Sequence, residues 1–173
     1  MRMNNSQAYQ AGYTLIELLL YIAMMGILLS ALVAFFGMVT DARVKNQSIT
    51  EVNEQGAYAL EHVAQTVRNA TSISAPTIGT STSQLTLVVP TAALSPTVFS
   101  VVGGVLQVKE GSAAAVPLTS SKIQVTAFTV ANVSRAGTSG IVKISLTINR
   151  LVAPALNEYD YARTFTTSAG VRP

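Results

Sequence analysis

Hydrophobic and polar positions divide the chain into three stretches with different periods. Residues 18–40 carry no charged side chain, and only Gly26, Ser30, Gly37 and Thr40 among them are not plainly apolar. As a helix this run would measure about 35 Å, enough to cross a hydrocarbon core of about 30 Å. After Asp41 the apolar residues recur at three- and four-residue steps, at Ile49, Val52, Gly56, Leu60, Val63, Val67 and Ala70. That spacing predicts one apolar stripe on an amphipathic helix. Glu51, Glu54, Glu61, His62 and Arg68 fall on the other face, with Tyr58 flanking the stripe. The stripe is expected to pack into a core and His62 to be a solvated surface residue. Unbroken over residues 13–70, the helix would be about 87 Å long.

Past Thr71 the period falls to two. Leu85, Leu87 and Val89 alternate with polar neighbours, and Val142, Ile144, Leu146 and Ile148 alternate with Lys143, Ser145, Thr147 and Asn149. Apolar segments at residues 98–102 and 105–108 flank Gly103-Gly104, a two-residue hairpin signal of type I′ or II′. Ile123 and Val125 set one parity and Phe128 and Val130 the other, which predicts a bulge between them. A last strand is expected over residues 159–167, and loops near residues 90–96, 110–121, 131–140 and 150–158. Five or six alternating strands imply an antiparallel sheet with one wet face. The amphipathic helix is the available cover for the other. The expected class is α+β: one long N-terminal α-helix, half membrane-spanning and half amphipathic, packed on an antiparallel β-sheet.

Composition narrows the chemistry. The 173 residues are 49% apolar and 11% charged, far too apolar for a disordered chain. There is no cysteine and one histidine, which excludes disulfide frameworks, thiolate metal sites, Cys nucleophiles and His-clustered metal centres. No Walker loop, G-x-S-x-G elbow or paired-carboxylate signature is present. No enzyme activity, cofactor or metal is expected. Asn157, Glu158 and Asp160 could be read as calcium ligands, but two carboxylates without a fixed loop pattern make a poor calcium motif, and a turn before a strand is the better reading. The net charge is +3, with a pI near 9.4. Residues 71–173 hold seven Lys or Arg against three acids. These cations could attract a nucleic-acid backbone, yet they are scattered, as on an ordinary solvated face.

The apolar run is longer than a secretory h-region of roughly 7–15 residues, and no A-x-A site follows it. Charge leaves its orientation open, with Arg2 before the segment and Arg43 and Lys45 after it. What distinguishes it is its start, Gly12-Tyr13-Thr14-Leu15-Ile16-Glu17-Leu18-Leu19-Leu20. A polar leader ends in Gly, followed by an aromatic, a threonine, two aliphatics, a lone glutamate and the apolar helix. This start closely resembles the prepilin motif of the type IV pilin family, which includes the pseudopilins of type II secretion and competence systems. The resemblance implies a pilin fold, cleavage between Gly12 and Tyr13 by a membrane prepilin peptidase, and methylation of the new Tyr13 amine. It also implies insertion in the bacterial cytoplasmic membrane with the N-terminus inside, and later residence in a cell-surface or periplasmic filament. The expected divisions are a leader at residues 1–12, an assembly and transmembrane helix at 13–40, an amphipathic half at 41–70 and a sheet body at 71–173.

Glu17 agrees with that resemblance. A carboxylate buried unpaired at the edge of a bilayer segment costs up to about 3 kcal/mol. A cationic amine at Tyr13, one helical turn away, could pair with it within one chain or between neighbouring chains. The resemblance favours the second, with Glu17 setting subunit register during assembly; solvation at the interface is the plainer alternative. Major pilins usually carry a proline within the apolar segment, and here none precedes Pro76. The body is most similar to J-type minor pseudopilins and W-type minor pilins, through the helix end Thr66-Val67-Arg68-Asn69-Ala70, the Gly103-Gly104 hairpin, the strand at residues 142–148 and the closing Arg172. The resemblance therefore implies a minor subunit of a type IV pilus or secretion pseudopilus. Its partners would be other pilin-like subunits, the prepilin peptidase and the inner-membrane assembly platform. A tip adhesin or DNA-binding pilin of an uptake system is the second reading.

Overall fold

A computed structural model describes residues 14–150 and 161–172. One helix, α1, spans Leu15–Asn69, and the strands follow it in sequence. The chain divides into two compact units, residues 1–43 and 44–173.

In the first unit the helix presents apolar side chains all round. Leu15, Ile16 and every large apolar residue through Met38 are exposed. The two aliphatic hydroxyls of this stretch are satisfied locally: Ser30 Oγ donates to Ile27 O at 2.8 Å and Thr40 Oγ1 to Phe36 O at 2.8 Å. Back-bonding of this kind hides a hydroxyl where water is scarce. The helix is long and apolar enough to cross a membrane, with a mean hydropathy of 2.5 over its most apolar stretch.

The second unit is α+β. Its strands are β1 (Ser72–Ala75), β2 (Ser81–Thr82), β3 (Leu85–Val88), β4 (Thr97–Val102), β5 (Val105–Glu110), β6 (Val116–Pro117), β7 (Ile123–Asn132), β8 (Ile141–Arg150) and β9 (Ala162–Gly170). They form two antiparallel sheets, ordered β1-β3-β4-β5-β6 and β2-β7-β8-β9. The periodicity predicts one sheet of five or six strands, so the structure corrects both numbers. The strands it adds are β1, β2 and β6, of two to four residues each. They are too short to show a period. β6 lies in the segment expected to be a loop at residues 110–121. The last strand begins at Ala162, and the start of the expected segment, at Tyr159 and Asp160, lies outside the described residues.

Both predicted strand irregularities are present. Gly103 and Gly104 have φ of 58° and 78°, and Val102 pairs with Val105 across them, as a type I′ hairpin requires. The β7–β8 register shifts between Val125 and Ala127. Without that extra residue Phe128 and Val130 would point away from the core; with it both are buried beside Val125. The hairpin tip also ties the sheets together, since Val125 N–H donates to Gly104 O at 2.8 Å.

The amphipathic part of α1 supplies one wall of a single core. Val52, Ala59, Val63, Ala64 and Val67 are fully buried, against Leu85, Leu87, Phe99 and Leu106 of one sheet and Val130, Val142, Ile144, Leu146 and Ile148 of the other. Burying each of the Val, Leu, Ile and Phe side chains is worth about 1.5–3 kcal/mol. Two sheets cover a wider arc of helix than one stripe would need, and this moves His62. Expected in solvent, it is half-buried, its ring 6.2 Å from that of Phe99 and 6.3 Å from that of Tyr58, with Nδ1 enclosed and unbonded. Polar clamps fix the helix lengthwise. Arg150 Nη1 donates to Ser48 Oγ, Arg163 Nη1 donates to Asn53 Oδ1 at 2.6 Å, and Gln55 Oε1 accepts from Ser120 N–H at 2.8 Å. At Gly56 the ring of Phe165 comes so close that a Cβ would lie 2.3 Å from it.

Candidate functional site

The predicted site residues lie where the helix begins. Gly12 and Tyr13 are outside the described residues. Thr14 is the first described residue and stands just before α1. Its carbonyl accepts from Glu17 N–H at 3.1 Å and Leu18 N–H at 3.2 Å, and its Oγ1 lies 3.4 Å from Glu17 N. This is N-capping: a threonine oxygen meets amides that have no partner inside the helix. Thr14-x-x-Glu17 is also the spacing of a capping box, a sequence signal that identifies Thr14 and that the reading of Glu17 as an assembly residue leaves unused.

Glu17 falls in the first helical turn, where a carboxylate meets the positive end of the helix dipole. Its side chain turns along the helix rather than back over the cap, and Tyr21 Oη donates to Glu17 Oε1 at 3.2 Å. Tyr21 is one turn on, four residues away, so the two side chains share a face. This partner is absent from the sequence expectation, although the i,i+4 spacing of an acid and a phenol was there to find it. One carboxylate oxygen is thereby engaged, and neither Thr14 nor Tyr21 brings a positive charge. Leu18, Ile22 and Met25 continue the same exposed side of the helix and, with Tyr21, line a shallow apolar groove.

The site thus holds one acidic group, partly satisfied, on a stretch of helix whose large apolar residues through Met38 are exposed. Among the described residues no base, nucleophile or metal-ligand set surrounds it. No cluster of three or more His, Cys, Asp or Glu able to hold a metal occurs among the described residues. The Asn157, Glu158 and Asp160 segment lies outside them.

Comparison with known proteins bears on this segment. The family model for the prokaryotic N-terminal methylation motif matches residues 7–33, which include Gly12, Tyr13, Glu17 and Tyr21. No curated protein and no solved structure matches the chain. The family defined by this motif is structural rather than catalytic, and the motif implies dealings with a prepilin peptidase and with other pilin subunits in general. Motif and apolar helix together are consistent with a membrane-anchored pilin. A prepilin-type methylation motif at the head of a pilin-like α+β fold supports placing this chain in the type IV pilin and pseudopilin superfamily.

Proposed function

We propose that the chain is a minor pilin-like structural subunit of a type IV pilus or type II secretion pseudopilus. In this reading a prepilin peptidase removes residues 1–12 after Gly12 and methylates the Tyr13 amine. Residues 13–40 hold the subunit in the cytoplasmic membrane with the N-terminus inside. They later become its share of the filament core. Residues 41–70 form the amphipathic half of the spine, and residues 71–173 the sheet body outside the membrane. Glu17 pairs with the methylated amine of a neighbouring subunit and sets its register, and the assembly platform of the inner membrane adds the subunit to the filament.

The observation that carries this reading is the placement of Glu17: a lone carboxylate in the first turn of a helix whose large apolar residues through Met38 are all exposed. Such a helix needs a lipid or protein cover, and a carboxylate inside that cover needs a cation. The minor rank is supported by the absence of a proline before Pro76 and of the cysteine pair that commonly staples major subunits.

Intact-mass measurement after coexpression with a prepilin peptidase tests the processing. The expected product begins at Tyr13 and carries one added methyl group. A product that still begins at Met1, or one cut beyond the apolar run, overturns the reading.

A further inference from the structure

Among the described residues the two sheets end in four edge strands, β1 and β6 on one and β2 and β9 on the other. Three of these edges are blunted. β1 is four residues long, with a register shift between Ile73 and Ala75 and Pro76 directly after it. β2 and β6 have two residues each, and one of those in β6 is Pro117. Short length, bulges and prolines keep an edge from pairing with other chains. β9 has none of these devices. Its nine residues pair with β8 from Ala162 to Gly170 without a shift, and Arg163 is its one charged residue.

The phase of the ladder identifies the backbone groups left open. Arg150 N–H donates to Tyr161 O at 3.3 Å, and Val171 N–H donates to Gly140 O at 2.8 Å. Bonding alternates along an antiparallel pair, so the odd-numbered residues of β9 bond β8. Thr164, Thr166 and Ser168 then direct their N–H and C=O groups away from the sheet. All three are exposed, and their backbone groups meet no partner among the described residues. Their side chains lie on the outer face, where Thr164 Oγ1 is 2.9 Å from Thr147 Oγ1.

On its inner side the edge borders an open groove of about 380 Å³ between β9 and α1. Ala57, Leu60 and the half-buried Phe165 ring give it an apolar wall, and Arg163 adds a cation. The Arg163 guanidinium lies 5.2 Å over the Phe165 ring, and its Nη1 donates to the neutral Asn53 Oδ1. It has no acid partner among the described residues, and Glu61, which also lines the groove, is paired with Arg68 at 3.0 Å. A strand added to β9 would direct alternate side chains over this groove. One beside Arg163 meets an unpaired cation, and the next on that face meets the Phe165 ring. Those between them continue the hydroxyl row of Thr164, Thr166 and Ser168, where Thr and Ser pair well across strands. A second copy of β9 fits poorly, since its only charge is another guanidinium.

We propose that the open edge of β9 takes up an extended segment of another protein as an added antiparallel strand. The segment sets a carboxylate beside Arg163 and an apolar side chain over Phe165. This docking is separate from assembly through the N-terminal helix and does not depend on how that helix is processed.

The test is hydrogen exchange of the full chain in detergent micelles, read amide by amide. The probe is the end-capped peptide Thr-Val-Thr-Val-Thr-Glu, which run antiparallel to β9 sets its glutamate across from Arg163 and its second valine across from Phe165. Without peptide the Thr164, Thr166 and Ser168 amides should exchange fast, and those of Phe165 and Thr167, bonded to β8, slowly. Millimolar peptide should slow the first three at least tenfold. The same peptide N-methylated at its threonines should not, because the donors that face β9 are gone. Thr166→Pro removes an edge N–H that β8 does not use, a position where a strand tolerates proline, and should weaken binding at least tenfold. Arg163→Glu should do the same, and replacing the peptide's glutamate by lysine should restore binding to that variant. Circular dichroism of both variants separates loss of docking from loss of the fold. Four results would overturn the proposal: exchange of the three amides unchanged by millimolar peptide, equal protection by the N-methylated peptide, protection of the same amides without any peptide, or no rescue of folded Arg163→Glu by the lysine peptide.

Discussion

A glutamate in an apolar helix has two separable properties, its cost in lipid and its use, and substitution distinguishes them. Glu17→Ala removes a group that is expensive to insert, so it should enter membranes at least as well as the parent chain. It should nevertheless fail to appear in filaments sheared from cells, because the amine of the neighbouring subunit would have no carboxylate to meet. Membrane fractionation together with recovery from sheared filaments measures both, and normal incorporation would return Glu17 to a solvated interfacial role. Tyr21 gives a finer test. Its hydroxyl is bonded to Glu17 Oε1, so Tyr21→Phe keeps the ring and frees the carboxylate to rotate. Reduced but not abolished incorporation is expected, with membrane insertion unchanged. Glu17 was legible in the sequence because a charge amid apolar residues is conspicuous. Tyr21 was not, because an aromatic at the edge of a membrane segment already has an ordinary explanation as an interface anchor.

Among the elements, α1 and β9 approach closely where Gly56 meets the Phe165 ring. Alanine at Gly56 would add about 1 kcal/mol of helix propensity, but its Cβ would press into the Phe165 ring. Overpacking of that kind costs about 1–3 kcal/mol, so Gly56→Ala should destabilise the body by up to about 2 kcal/mol in chemical denaturation. In a Phe165→Ala background the same change should reverse sign and stabilise by about 0.5–1 kcal/mol. A Gly56→Ala change that destabilises equally in both backgrounds would mean the ring contact is not what glycine serves. The long elements were readable in advance for a simple reason. β8 buries Val142, Ile144, Leu146 and Ile148 on one side only, and a strand wet on one face writes its period into the sequence. β1, β2 and β6 give no such record, since two to four residues with mostly exposed or half-buried side chains carry no period. The second sheet was hidden for a related reason. Alternation says which way a residue faces, not which strand lies beside it. His62 was misplaced by the same gap, because a helix covered by two sheets has flanks that one stripe does not mark.

For the whole molecule, the helix and both sheets share one core, so the body should stand or fall with the amphipathic half of α1. A fragment beginning at Lys45 retains Val52, Ala59, Val63 and Val67 and should be soluble and melt cooperatively. One beginning at Thr71 would bare the inner faces of both sheets and should aggregate. Similar solubility and melting of the two would show that the helix is dispensable to the core. The path of the chain between the sheets also bears on how they form. β2 lies in sequence between β1 and β3 yet pairs with β7 in the other sheet, Ser81 with Ala131. The chain leaves the first sheet, crosses to the second and returns before the first is complete. Local hairpins such as β4–β5 and β7–β8 close cheaply, whereas β2 must wait for a strand far along the chain. Refolding should therefore end with a latch: in pulsed hydrogen exchange the β4–β5 and β7–β8 amides gain protection first and Asn132 N–H, bonded to Thr80 O, among the last. Once closed, that latch prevents either sheet from peeling away alone.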